Sequence, residues 1–457
     1  MKIKIQKLYA WSIVLEPMIY FTVCHQRFSG VGLNISRMMQ IVVLLFFIRL
    51  AISGKINLRI SSFIKSRYSL FVLYFCLAVI SGILGLLMGV YSLGATIDLF
   101  HNSFIAGVIR SSYFRPFFEY AILAYYIGYF AVLPSIILEK EEDIKYFFKV
   151  FFLIFNMSVV IGLIDCFLVW QCGITITGRH LHEWYSEPNG PLWVGLRFHG
   201  LFGEPRDAVV LLGLGAAFYY LRAKVFNEAH YKYFYALLLI CAVLTQSTSG
   251  ILGVIIFVML YFVIICIDFS LSRFIKAFIL FSVLGVVFYV VVVTSVRVGI
   301  YMDFLTVGIK AAYYECDVPV AARGQMVNIY PIFWIIDNLL QFNPIPLLLG
   351  EGLGSSPFVN NFYGMRGLLN NPHAEIIRVI AGTGIIGCFL YISAFYIPVK
   401  RMTKELPDKI RDNIILFLIL VLSLTLGHRS ASGFIFIGVL FAVLNVFANN
   451  GTLHKKL

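Results

Sequence analysis

Twelve apolar runs, separated by short polar loops, limit what this chain can fold into. They cover residues 8–24, 38–52, 68–91, 117–138, 146–170, 208–221, 233–244, 250–267, 277–293, 374–399, 414–426 and 433–447. A segment that leaves water for hydrocarbon must satisfy its own backbone, and roughly 20 apolar residues in a helix span the bilayer core. Several runs are shorter, so their helices must extend a few residues beyond them. Hydrophobic residues make up 60% and charged residues 13% of the 457 residues, with a mean hydropathy of +0.89. A soluble domain of this length has no use for so much apolar surface. The 43 Phe and 26 Tyr suit lipid-facing and interfacial positions. The sequence therefore predicts an all-α integral membrane protein of about 12 transmembrane helices. It reads as one polytopic domain over 1–457, with two large loops at 171–206 and 294–373.

The formal charge of +13 does not point to nucleic acid, because the basic residues sit in short loops between apolar runs. They read as topology signals. With the N-terminus in the cytoplasm, the cytoplasmic loops contain Lys55, Arg59, Lys65 and Arg67; Lys140 and Lys145; Arg222, Lys224 and Lys232; Arg273 and Lys276; and Lys400, Arg401, Lys404, Lys409 and Arg411. Both long loops then lie on the opposite face. Lys2, Lys4 and Lys7 ahead of the first run look like a secretory signal. Glu16-Pro17 interrupts that run and no small-residue cleavage site follows, so a retained first helix is expected. The eight cysteines show no ligand spacing for structural zinc. Cys172 and Cys316 fall in the two long loops, where an oxidising compartment would let them pair.

Residues 342–387 are the most informative stretch. A Gly-, Pro- and Asn-rich loop carries Gly350, Gly352 and Gly354, then runs into an apolar helix. Pro372 suits a helix entry and His373 stands at its mouth. Gly384 and Gly387 are expected to let a neighbouring helix approach closely. An imidazole at the membrane–water boundary suits acid–base chemistry on a lipid-linked substrate; the plainer reading is a loop-capping residue. Arg197, His199, Glu204 and Arg206 crowd the entry of the 208–221 run. Such groups are solvated, paired or functional there, with snorkelling to lipid phosphates as the alternative for the arginines. Arg323 is the first choice for a pyrophosphate contact, because guanidinium stays charged and forks onto phosphate; the alternative is a solvated loop residue. Glu375 and Arg378 are spaced to pair on a helix, and Arg378 is also placed to face the site. No DxD pair, phosphate-binding P-loop, HExxH or nucleophile elbow is present. An enzyme built this way needs a donor activated without a bound nucleotide, and a lipid-linked diphosphate sugar fits that need.

The order G-x-G-x-G, N-x-P-H and x(10)-G-x-x-G resembles the O-antigen polymerase and ligase superfamily of membrane glycosyltransferases. That family reads roughly His-Asn/Ser/Gln-x(9)-Gly-x-x-Gly; Ala374 departs from it. Arg-x-x-Gly-x-x-x-Glu-Pro, from Arg197 to Pro205, is similar to the segment before a central helix in the polymerases, and Arg323 to the family's small-residue-Arg segment. The 244–253 turn has Thr248 and Ser249 where ligases carry a functional Arg, which favours polymerase over ligase; the alternative reading of that turn is a Ser/Thr hairpin capping two helices.

The resemblance implies a Wzy-type polymerase of the bacterial inner membrane, with both termini cytoplasmic. It implies joining of undecaprenyl-diphosphate-linked repeat units on the periplasmic face, with loss of undecaprenyl diphosphate and with no metal or cofactor. His373 and Glu204 become the catalytic candidates; Arg323, Arg197, Arg206 and Arg378 become the diphosphate-binding ones. The partners implied are the lipid-linked glycan, the bilayer and a chain-length regulator protein. The alternatives are a ligase acting on lipid A–core and a polysaccharide transporter. A transporter would carry its ionisable residues near mid-membrane, whereas here they gather at one face.

Overall fold

Every one of the twelve apolar runs contains helix. The computed structural model describes residues 5–17, 22–24, 33–53, 67–93, 114–177, 198–226, 231–267, 271–294, 326–363 and 372–449. Its helices in chain order are α1 (Ile5–Val14), α2 (Ile35–Ile52), α3 (Ser69–Leu87), α4 (Arg115–Tyr125), α5 (Glu141–Cys172), α6 (Pro205–Phe226), α7 (Tyr231–Leu244), α8 (Thr248–Ile267), α9 (Leu271–Thr294), α10 (Tyr330–Leu340), α11 (Ile345–Leu349), α12 (Ser356–Phe362), α13 (Glu375–Met402), α14 (Asp408–Gly427) and α15 (Ser432–Asn449). Helix α4 continues through a π-helical turn at Tyr126–Val132 into Pro134–Ile137. Among the described residues the only strand pairing is Thr22–Cys24 against Leu33–Asn34.

Seven helices among the described residues are long and apolar enough to cross a membrane: Ser69–Leu87, Pro116–Ile137, Glu141–Cys172, Pro205–Phe226, Thr248–Cys266, Glu375–Met402 and Asp408–Gly427. Met326–Leu340 and Ser432–Val446 are shorter apolar helices. The protein is thus an all-helical, multi-pass membrane protein, and by this measure the expected count of about twelve is not reached. Two differences have plain causes. The first run stays helical only to Val14, because Glu16 precedes Pro17 and a residue before proline is pushed out of the helical region. The 294–373 stretch is not loop throughout: α10, α11 and α12 lie within it.

Exposure separates centre from rim. Leu73, Ile80, Ile83 and Leu87 of α3, and Met259 and Phe262 of α8, are exposed, as lipid-facing side chains must be. Helix α6 is the opposite, with 83% of its spanning window buried, so it runs through the middle of the bundle. Phe147, Phe148, Phe151 and Phe155 of α5 form an aromatic ridge there, and Phe218 of α6 sits edge-on against Phe151 at 4.9 Å. On the other side of α6, α14 meets α8 at glycines: a Cβ on Gly427 would lie 2.8 Å from the Gly253 nitrogen. Only small residues allow that approach.

The feature that positions the rest is a break in α13. Gly384 has φ 66° and ψ −172°, a conformation open only to glycine. Gly350, just after α11, has φ 73° and ψ −172° and faces it. A Cβ on Gly384 would meet the Leu348 carbonyl at 2.3 Å, and one on Gly350 would meet the Thr383 nitrogen at the same distance. The Glu351 N–H donates to the Ala381 carbonyl at 2.8 Å and the Gly352 N–H to the Gly382 carbonyl at 2.9 Å. Backbone interrupted at membrane depth is tolerated where protein groups satisfy it, and this segment does so. Helix α3 closes the other side: a Cβ on Gly85 would strike the Glu351 carbonyl, Ser81 donates its hydroxyl to the Leu349 carbonyl, and Tyr91 Oη donates to the Leu353 carbonyl at 3.0 Å. The Glu351 side chain is buried in this contact.

The expectation that these glycines admit a neighbouring helix holds at Gly384, which admits the end of α11, and is corrected at Gly387. Gly384 admits the 348–352 backbone, and Gly387 leaves room for the Thr383 side chain of its own helix. Gly384→Ala should cost about 1–3 kcal/mol in backbone strain alone, before any displacement of Leu348. The detergent-solubilised variant should melt several degrees lower, while Gly285→Ala, which meets nothing within 4 Å, should not. Equal melting temperatures for the two would contradict the role given to the break.

Candidate functional site

The entries of α6 and α13 and the turn between α14 and α15 converge at one end of the bundle. Their opposite ends carry Lys224, Lys400, Arg401 and Arg411. Asn328, in a short 3-10 turn at Met326–Asn328, prepares the α13 entry. Its Oδ1 accepts the His373 N–H at 2.8 Å and the Ala374 N–H at 3.1 Å. Ala374 has no side chain with which to cap the helix, so a distant amide fills that role.

Arg206, in the first turn of α6, donates through Nη1 to His373 Nδ1 at 3.0 Å. Its Nε lies 2.5 Å from Glu204 Oε2. Guanidinium cannot accept a hydrogen bond, so Nδ1 holds the lone pair and the neutral ring carries its proton on Nε2. Burial, then the Arg206 charge, then His428 hold the His373 imidazole down at about 4. It is uncharged at neutral pH, and the stability it contributes is fully present above its usual value near 6.5 and lost as pH falls towards 4. One residue further along α6, Asp207 Oδ1 lies 2.9 Å from His428 Nε2.

A second cluster adjoins the first. Glu119 of α4 is buried between two guanidiniums, with Arg378 Nη2 and Arg429 Nη2 each 2.9 Å from its Oε2. Arg378 also lies 3.6 Å from Glu375, as their spacing predicts. Two cations and two carboxylates balance. Glu119, Glu375, Arg378 and Arg429 share a cavity of about 40 Å³ with Tyr74 and Tyr126, room for a few waters and not for a sugar ring. The cluster has a mechanical consequence: Glu119 ties together the α13 entry, which bears His373, and the turn bearing His428.

Of the residues singled out from sequence, Arg206, Glu204 and His373 come together. Arg378 belongs to the adjoining Glu119 cluster. Arg197 and Arg323 lie outside the described residues, as does Cys316; Cys172 is an exposed free thiol. His199 is not at the site: its Nδ1 donates to the Gly200 carbonyl at 2.9 Å, and its Nε2 meets Thr177 at 3.2 Å beside Asp165. In the 244–253 turn, Ser247 Oγ accepts the Gly250 N–H at 3.3 Å, which is helix capping. Sequence reasoning missed Asp207, His428, Arg429, Glu119 and Asn328. The only available signal was polarity where none is expected, His428-Arg429 between two apolar runs and Glu119 within one. No cluster of three or more His, Cys, Asp or Glu able to hold a metal occurs among the described residues.

No family model, curated protein or solved structure matches the chain. The fold thus defines a class, the multi-pass α-helical membrane proteins, and the chemistry rests on the site's own groups.

Two measurements check this geometry. Ring-nitrogen NMR should show His373 neutral at pH 6, and Arg206→Gln should move its titration part of the way up from 4 towards 6.5, because burial remains; an unchanged midpoint would contradict the Arg206 contact. Glu119→Gln leaves two guanidiniums facing each other and should destabilise by about 3–5 kcal/mol, read as a large fall in thermal stability. A wild-type melt would show that the clamp does not hold.

Proposed function

We propose that this chain is an O-antigen polymerase, a membrane glycosyltransferase that extends a glycan held on undecaprenyl diphosphate. In this reading it sits in the bacterial inner membrane with twelve spans, both termini cytoplasmic and the site on the periplasmic face. The sequence resemblance around 197–205 and 370–387 suggests the family. The observation that carries the reading is the contact of Arg206 with His373 across 167 positions of sequence, at the helix ends opposite Lys224, Lys400 and Arg401. A fixed cation beside an imidazole is what displacement of a diphosphate by a hydroxyl requires.

The acceptor hydroxyl of one repeat unit attacks the anomeric carbon of the growing chain. A new C–O bond forms there, and the bond from that carbon to the diphosphate oxygen breaks. Its electron pair leaves with undecaprenyl diphosphate, and the hydroxyl proton passes to a site imidazole, His373 or His428. Arg206 turns from His373 to the leaving diphosphate, joined by Arg197 and Arg323; Glu204 orients Arg206 or binds sugar. Turning Arg206 away removes one of the causes that hold His373 down, while burial, the largest, remains. The chain-length regulator stays an expectation of the family.

Deletion in the source bacterium tests the reading. A polymerase null should still carry one repeat unit on lipid A–core, so its surface glycan collapses from a ladder to a single short band. Loss of every unit from lipid A–core, with polymer building up on the lipid carrier, would mark a ligase instead. Orientation is tested in a cysteine-free background. A cysteine at exposed Gln171 should react with an impermeant thiol reagent applied from the periplasm, and one at exposed Asp408 should not. The reverse pattern would overturn the periplasmic site.

A further inference from the structure

The two imidazoles of the site carry the proton on the same nitrogen, Nε2, but opposite nitrogens of the two rings are engaged. His428 Nε2 lies 2.9 Å from Asp207 Oδ1. A carboxylate accepts hydrogen bonds, so the ring proton is on Nε2 and the lone pair of the neutral ring is on Nδ1. That Nδ1 is buried and has no hydrogen-bond partner. Leaving a buried acceptor unfilled is costly, a cost that persists where the atom has another use. At His373 of the ligand-free site the lone pair is taken by Arg206, and no carboxylate is bonded to the ring to hold an imidazolium once Arg206 turns away. A carboxylate behind an imidazole fixes its tautomer and stabilises the imidazolium once a proton arrives. His428 has that support from Asp207, whereas His373 has a cation.

We propose that Asp207 and His428 form the acid–base dyad of the site. His428 Nδ1 takes the proton of the acceptor hydroxyl as that oxygen bonds to the anomeric carbon, and His373 donates its Nε2–H to an oxygen of the bound glycan or diphosphate. Asp207 is a positioning residue; His428 is the catalytic one. The leaving undecaprenyl diphosphate takes the electron pair of the broken bond, and the imidazolium later returns its proton to water. The assignment rests on the polymerase reading and goes beyond it in naming the base. His428 meets Asp207 of α6 directly and is coupled to His373 at the mouth of α13; the further charged groups at this end of the bundle are Glu204 just before α6, Arg206 of α6, Glu375 and Arg378 of α13, Glu119 of α4 and Arg429 in the turn.

The test uses the full-length protein in lipid nanodiscs with single repeat units on undecaprenyl diphosphate, extracted from cells lacking the gene. Release of undecaprenyl diphosphate is followed against pH. His428→Gln should lower kcat by about 10²–10⁴-fold with little change in KM. Asp207→Asn should move the acid limb of the kcat profile to lower pH, because the imidazolium loses its carboxylate. His373→Gln should weaken turnover and leave that limb in place. An acid limb that survives His428→Gln and disappears in His373→Gln would return the base to His373 and leave the polymerase reading standing. An unshifted limb in Asp207→Asn would overturn the dyad even where His428→Gln fails to insert. A wild-type protein that releases no undecaprenyl diphosphate would overturn the polymerase reading, and the dyad with it.

Discussion

The carbonyls freed where α13 breaks at Gly384 are the groups on which the site's geometry depends. A hydrocarbon surrounding offers them no donor. The N–H groups of Glu351 and Gly352 reach Ala381 and Gly382, and the segment that brings them is held from behind by α3. Two glycines in a conformation closed to other residues let the two backbones meet. The N-terminal part of α13 is thereby aimed independently of the rest of the helix. It carries His373 at its mouth, Glu375 and Arg378 in its first turns, and a cap supplied by Asn328.

Charge then fixes what the backbone has aimed. Arg378 from α13 and Arg429 from the turn between α14 and α15 converge on the single Glu119 carboxylate. Each buried guanidinium needs that carboxylate, so the two imidazole-bearing segments are locked to α4. At the α6 entry, Arg206 and Asp207 are adjacent and opposite in sign, and each selects one imidazole. The cation covers the His373 lone pair, and the anion takes the His428 proton. Two histidines of one site, both with the proton on Nε2, are thereby left with opposite ring nitrogens engaged by neighbouring residues of α6.

Much of the helical layout was legible in the sequence, because apolar runs in a membrane protein need no periodicity to be recognised. The positions of Arg206, Glu204 and His373 were legible for the same physical reason: ionisable groups beside apolar helices are costly and stand out. What stayed hidden depends on partners far away in the chain. Gly384 reads as a small residue for helix packing until its φ and ψ are known. Glu119 disappears inside an apolar run, and its partners lie 259 and 310 positions away. His428 gains its meaning only beside Asp207, 221 positions earlier. Ala374 reads as a departure from the family motif, yet the cap that position lacks comes from Asn328 in another segment.

The most direct test of the central claim is a structure of the protein in a lipid nanodisc with undecaprenyl diphosphate bound. The account predicts the diphosphate at the α6 entry, within hydrogen-bond distance of Arg206, with the Arg206–His373 contact opened and His428 still held by Asp207. A diphosphate at the other end of the bundle, against Lys224, Lys400 or Arg411, would contradict it.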